Sequence, residues 1–306
     1  MRTILLWAAR NQWLRRNVPR LPGARRAVGR FMPGETMDDA LRAASTLQGV
    51  GLPSIFTRLG ENLANLGQAD EVVAHYHELM SRFARWGLRP DVSPKLTQLG
   101  LDHDPEATYQ HCLGLARHAA SIGSRLWLDM EDSSYVDPTL DLYVRLLEAQ
   151  PGVGVCLQAY LRRTPTDVER LLPLGAGVRL VKGAYDEAAD RALRDKHDVN
   201  VAYRELALAM LPDAAAGRLR LGLGTHDVEL VEDIARAGAA AGIGKDAFEI
   251  QMLYGIRADQ QRRLAGAGYR VRILIAYGEF WYPWYVRRLA ERPANLWFAM
   301  RQMIPW

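Results

Sequence analysis

The 306-residue chain has only two cysteines, Cys112 and Cys156, and no C-x-x-C spacing. That excludes a disulfide framework and a cysteine-built zinc site, and it fits a reducing compartment. The seven histidines supply no H-E-x-x-H pair. His75 and His77 lie two apart on a predicted helix, where residues so spaced do not face each other, so no metal site is expected. No run approaches the roughly 18 apolar residues of a membrane span. No G-x-G-x-x-G follows the first predicted strand, which argues against a dinucleotide-binding open sheet and against an NAD-dependent activity on this chain. No low-complexity linker divides the sequence. Residues 1–34 contain no acid at all, yet they carry eight arginines interleaved with Leu5, Leu6, Trp7, Trp13 and Leu14. Such a segment reads as a basic amphipathic helix meeting anionic lipid or a partner, as an Arg-rich transit segment, or as a helix capping the domain with a solvated arginine face. Nucleic acid is not the expected partner, because the net charge is only +4 and the rest of the chain is nearly balanced.

What is present is a regular alternation. Short apolar runs near 53–59, 92–98, 125–130, 153–158, 177–182, 220–225, 247–252 and 270–276 read as strands. Amphipathic stretches at 61–86, 105–122, 138–150, 166–174, 186–216, 228–240 and 258–267 read as helices between them, and 280–292 as a last one. Eight strands alternating with helices predict an α/β fold, a (β/α)8 TIM-like barrel. A doubly wound open sheet is the second reading. The domain division expected is a basic helical arm over 1–35 and a barrel over 36–306.

The polar residues of the strands are informative. In the fifth strand, Arg179 and Lys182 interrupt the apolar run Val178–Val181, and a buried parallel strand should carry no such cations without a partner. They imply an anionic ligand or buried carboxylates; a structural ion pair is the bland alternative. Lys95 falls on the second strand, Asp129 ends the third, Gln158 the fourth, Thr225 and His226 the sixth, and Gln251 the seventh. Active sites of such barrels sit at the carboxyl ends of the strands, so six consecutive strands deliver polar groups to one rim.

These residues, in this order, resemble the flavin-dependent proline dehydrogenase family, most of all its short monofunctional bacterial form. The matching stretches are PKLTQLG at 94–100, LDMED at 128–132, LQAYL at 157–161, RLVKGAY at 179–185, GTHD at 224–227, FEIQMLYG at 248–255 and RRLAE at 287–291. The resemblance runs from about residue 35 to 300. It implies FAD held non-covalently at the mouth of a distorted barrel whose C-terminal helix lies over the opening. It also implies oxidation of L-proline to 1-pyrroline-5-carboxylate, with electrons passed to a membrane quinone. A separate 1-pyrroline-5-carboxylate dehydrogenase would take the product. The enzyme would be cytoplasmic, peripherally associated with the inner face of the bacterial membrane.

The resemblance carries residue roles as well. Asp129 and Arg179 match catalytic positions, and Lys95 is the lysine paired with Asp129. Arg287 and Arg288 match a carboxylate clamp, a task for which the planar guanidinium is better suited than an ammonium. Tyr185 and Leu274 match residues against the substrate. Met130, Gln158, Arg179, Val181, Lys182, Gly183, Ala184, Thr225, His226 and Gln251 match positions around the flavin. Glu61 matches an acid that closes an ion-pair gate with Arg287. The chain departs from the pattern at Leu274, where the family usually has a tyrosine lying on the substrate ring, and Ala276 replaces a common proline. A roomier pocket accepting 4-hydroxyproline or another cyclic amino acid is the alternative this raises. Two other classes stay in view: a Schiff-base lyase with Lys182 or Lys95 as nucleophile, and a membrane-surface binding module led by the arginine arm.

Overall fold

A computed structural model describes residues 5, 7–9, 11–20, 28–60 and 63–291. Eight parallel strands form its centre: β1 (Ser54–Arg58), β2 (Asp91–Val92), β3 (Trp127–Leu128), β4 (Gly154–Gln158), β5 (Gly177–Val181), β6 (Arg220–Gly224), β7 (Phe248–Leu253) and β8 (Arg270–Tyr277). The order is β2-β1-β8-β7-β6-β5-β4-β3. The two ends of this sheet meet, because Val92 N donates to Arg125 O at 2.9 Å and Asp129 N to Pro94 O at 3.0 Å. The result is the expected (β/α)8 barrel, distorted where β2 and β3 touch through bridges rather than through a ladder.

The helices are α1 (Gln12–Asn17), α2 (Met37–Gln48), α3 (Leu66–Phe83), α4 (Pro105–Ser121), α5 (Val136–Ala149), α6 (Thr164–Leu171), α7 (Lys196–Ala215), α8 (Val228–Ala240), α9 (Ala258–Gly266) and α10 (Trp281–Glu291). Their caps are local: Thr36 and Asp39 form a capping box at α2, and Asp104, Asp195 and Asp227 cap α4, α7 and α8. Three expectations change, the first being the third strand, which is only Trp127–Leu128 where 125–130 was expected. The second strand is only Asp91–Val92, because Pro94 has no N–H for a ladder and the chain turns into a tight helical turn at Leu96–Leu99. The helix expected over 186–216 begins at Lys196. The ten residues before it form a loop, tied down where Glu187 accepts from Ser133 N at 2.7 Å and from Ser133 Oγ at 2.6 Å.

Most apolar side chains fill one cluster between the strands and their helices. A second cluster joins Trp281, Tyr282, Trp284, Tyr285, Val286 and Leu289 of α10 to Ala9, Val28, Phe31 and Met32 of the N-terminal region. The barrel base is closed by charge. Arg220 reaches Asp91 at 3.1 Å, Arg272 reaches Glu249 at 2.9 Å, and Trp127 Nε1 donates to Asp91 at 2.9 Å. Gly154 clears the space for that indole: a Cβ there would stand 2.3 Å from the Trp127 ring. No described helix is long and apolar enough to cross a membrane.

Candidate active site

The site can be built upward from strand register. Paired residues of neighbouring parallel strands point to the same side of the sheet. Gln158 pairs with Val181, Val181 with Gly224, and Gly224 with Gln251. One row at the carboxyl ends of four strands therefore presents an amide, an apolar branch, a bare backbone and a second amide. Below it runs Cys156, Arg179, Gly222 and Glu249. Gly222 and Gly224 keep the floor low between the two glutamines.

Arg179 is the centre of the lower row and is 2% exposed. Its Nη2 donates to Ser93 Oγ at 2.8 Å and to the Asp129 carboxylate, and its guanidinium stands 5.5 Å from the Trp127 ring centre. Burial alone would pull its pKa down, but the Asp129 carboxylate and the Cys156 sulfur hold it above the ordinary value. Asp129 remains partly open, at 21% side-chain exposure against 3% for Arg179, so one face of the pair meets the mouth. Lys95, itself buried, bridges to Asp129 through the backbone. Glu131 pins this corner: it accepts from Thr97 N at 3.1 Å and from Thr97 Oγ1 at 2.7 Å, while its carbonyl accepts from Gln158 Nε2 at 2.8 Å.

Lys182, just past β5, turns to Asp227 at 2.7 Å and Asn200 at 2.6 Å. Burial would raise the Asp227 carboxyl, but the lysine outweighs it and holds the group below its usual value. Asp227 N in turn donates to Thr225 Oγ1 at 3.1 Å, and the His226 carbonyl accepts from Arg257 at 3.0 Å. Gly183 has φ +116°, and a Cβ there would meet the Tyr160 ring at 2.2 Å, so only glycine lets the chain pass over that ring. Met130 is buried beside Asp129, and Ala184 is half-buried. Leu274 is half-buried on β8, in register with Ile55 and Leu253. From α10, the Arg287 guanidinium lies 5.5 Å from the ring centre of Tyr185, and Arg288 is half-buried beside it in sequence.

The arrangement thus gathers the strand-end residues into one mouth and brings Arg287 to Tyr185. Glu61 lies outside the described residues. Ser93, Glu131, Asn200 and Asp227 are the additions. Each holds a predicted residue in place, and only Glu131 and Asp227 fall inside a quoted motif. The buried Gln158 Oε1, Gln251 Oε1 and Arg179 Nη1 have no hydrogen-bond partner among the described residues. Such atoms are costly to bury unless a ligand meets them. A flat heterocycle with both donors and acceptors fits a low floor flanked by two amides over a buried cation. Among the described residues no group of three or more His, Cys, Asp or Glu could hold a metal ion.

Comparison with known proteins agrees with this architecture. The family model described as proline dehydrogenase matches residues 40–301. A proline dehydrogenase of Deinococcus radiodurans is 38% identical over 284 residues, covering 90% of this chain and 89% of the relative. Proline dehydrogenase 1 of Bacillus subtilis is 32% identical over 304 residues, covering 99% of each. Among solved structures, proline utilization A (PutA) from Bdellovibrio bacteriovorus, inactivated by N-propargylglycine, superposes with a TM-score of 0.80 at 23% identity. That match covers 94% of this chain and 38% of the PutA chain, and it shows the same barrel.

Proposed function

Because the chain belongs to the proline dehydrogenase family, an enzyme family of proline catabolism, we propose that it oxidises L-proline to 1-pyrroline-5-carboxylate with FAD. The observation that carries this is the in-register row Gln158–Val181–Gly224–Gln251 lying above the buried Asp129–Arg179 pair. FAD, when bound, supplies the acceptor for the hydride lost from the ring carbon beside nitrogen. Gln158, Gln251 and Arg179 would meet its polar edge. Val181, Gly183, Ala184 and Met130 would lie against its ring, with Lys182, Thr225 and His226 around it.

The chain's own residues do the rest. Arg287 and Arg288 bind the substrate carboxylate; as adjacent helical residues they diverge by about 100° and grip it from different sides. Asp129 accepts from the ring amine, orients it and stabilises the positive charge that develops as the imine forms. Arg179 pairs with that carboxylate and fixes it, with Lys95 bridged beside it through the backbone. Tyr185 and Leu274 enclose the apolar ring and exclude water. Electrons leave to a membrane quinone, and a separate 1-pyrroline-5-carboxylate dehydrogenase takes the product. The enzyme works in the cytoplasm at the inner face of the membrane. A lyase based on Lys182 is disfavoured, since its Nζ is engaged by Asp227 and Asn200 rather than presented to a substrate.

The test is reconstitution with FAD followed by steady-state assay of Asp129→Asn. The variant should take up flavin and lose about 100-fold in kcat/KM for proline. Full activity in the variant would remove Asp129 from the mechanism; failure of the native chain to bind FAD would remove the cofactor assignment.

A further inference from the structure

The two glutamines of the upper row are buried, and each amide is fixed by a group that only accepts. Gln158 Nε2 donates to the Glu131 carbonyl at 2.8 Å, and Gln251 Nε2 donates to Glu249 Oε1 at 2.9 Å. A peptide carbonyl and a carboxylate paired with arginine offer no hydrogen, so the NH2 end of each amide must point at them. The oxygen ends are left over, and these are the Gln158 Oε1 and Gln251 Oε1 atoms without a partner among the described residues. The two anchors differ in kind. Glu131 holds Gln158 through its main chain, where the identity of the side chain does not matter. Glu249 holds Gln251 through a carboxylate that is itself clamped, since its Oε2 accepts from Arg272 Nε at 2.9 Å and stands 3.4 Å from Arg220 Nη2.

Glu249 precedes Gln251 on the same face of β7, one row nearer the base. The Gln251 side chain must therefore bend back toward the base to reach it. The space it bends into lies over Gly222, the β6 neighbour of Glu249. A Cβ on Gly222 would stand 2.8 Å from Gln251 Nε2 and 3.0 Å from its Cδ. Gly222 lacks the positive φ that would itself call for glycine, so room for this amide is what the position supplies. We infer that Glu249 and Gly222 are positioning residues for the cofactor site: acting through Gln251, they turn its amide so that the oxygen, not the NH2, is offered to the ligand. Arg220 and Arg272 contribute at one remove, so the charge network at the base reaches the mouth through one side chain. A ligand must bring an N–H or O–H to the Gln251 oxygen to bind at full strength. The inference rests on the reading of that ligand as FAD, whose ring and ribityl chain carry such groups.

The test is a double-mutant cycle in the full chain, read by FAD binding through quenching of flavin fluorescence and by the midpoint potential of the bound flavin. Glu249→Ala removes the acceptor but also strips Arg220 and Arg272 of a partner. Gly222→Ala leaves both ion pairs in place and decides the matter where the first variant does not fold. In the native background each change should weaken FAD binding about tenfold, the cost of setting a donor where an acceptor is needed, and should shift the potential. In a Gln251→Ala background Gly222→Ala should alter binding by about twofold or less and leave the potential where it is, because the side chain through which it acts is gone. Equal losses in the two backgrounds would reduce Gly222 to packing and overturn the positioning. Undisturbed FAD binding in Gly222→Ala would overturn it too. Failure of the native chain to take up FAD would overturn the inference together with the function it rests on, whereas FAD uptake with equal losses sinks the positioning alone.

Discussion

Leu274 stands in register with Ile55 and Leu253, an aliphatic row that walls the substrate pocket in the function proposed above. A tyrosine would add a flat face and a hydroxyl there. Leu274→Tyr should therefore change the ratio of kcat/KM for proline over 4-hydroxyproline by about tenfold, the range that one pocket contact commands. An unchanged ratio would show that selectivity is set elsewhere. At this scale the strand-end groups Asp129, Gln158, Arg179 and Gln251 were legible, since a polar residue closing an apolar run is conspicuous and a barrel sends it to the mouth. Their supports were not. Ser93 and Asn200 sit in no motif, and nothing in their local pattern says that Arg179 or Lys182 will come to them.

Among the elements, α3 is held to the end of β8 by a polar staple. His75 Nε2 lies 2.7 Å from the Tyr277 hydroxyl, and the two rings stack at 5.7 Å. Burial first, and the Arg58 charge second, push the imidazole pKa down to about 4. Folding thus favours the neutral ring. Its stabilising effect is complete above the ordinary value near 6.5 and is lost as pH falls toward 4. Thermal denaturation from pH 7 down to 5 should show a falling Tm, and His75→Gln should flatten that fall; an equal slope in the variant would contradict the assignment. The elements themselves followed from period and caps, with three exceptions, one of them the two-residue β3. β2 is shortened by Pro94, and the 186–195 loop mimics a helix in composition but is fixed by Ser133, a partner over 50 residues away in sequence.

For the molecule as a whole, the two ends of the barrel divide the work. At the base, Asp91, Arg220, Glu249 and Arg272 satisfy one another and Trp127. At the mouth, buried polar atoms of Gln158, Arg179 and Gln251 are left for a ligand. The alternation of eight apolar runs made the barrel readable, but the base network was not foreseen. Its charges lie near strand beginnings, only Glu249 falls inside a quoted motif, and they pair only once β2, β6, β7 and β8 are brought together. The most direct test of the central claim is the anaerobic visible spectrum of the FAD-loaded protein before and after addition of L-proline. Bleaching of the flavin band by proline is the predicted result; a flavin band that proline leaves unmoved would contradict it.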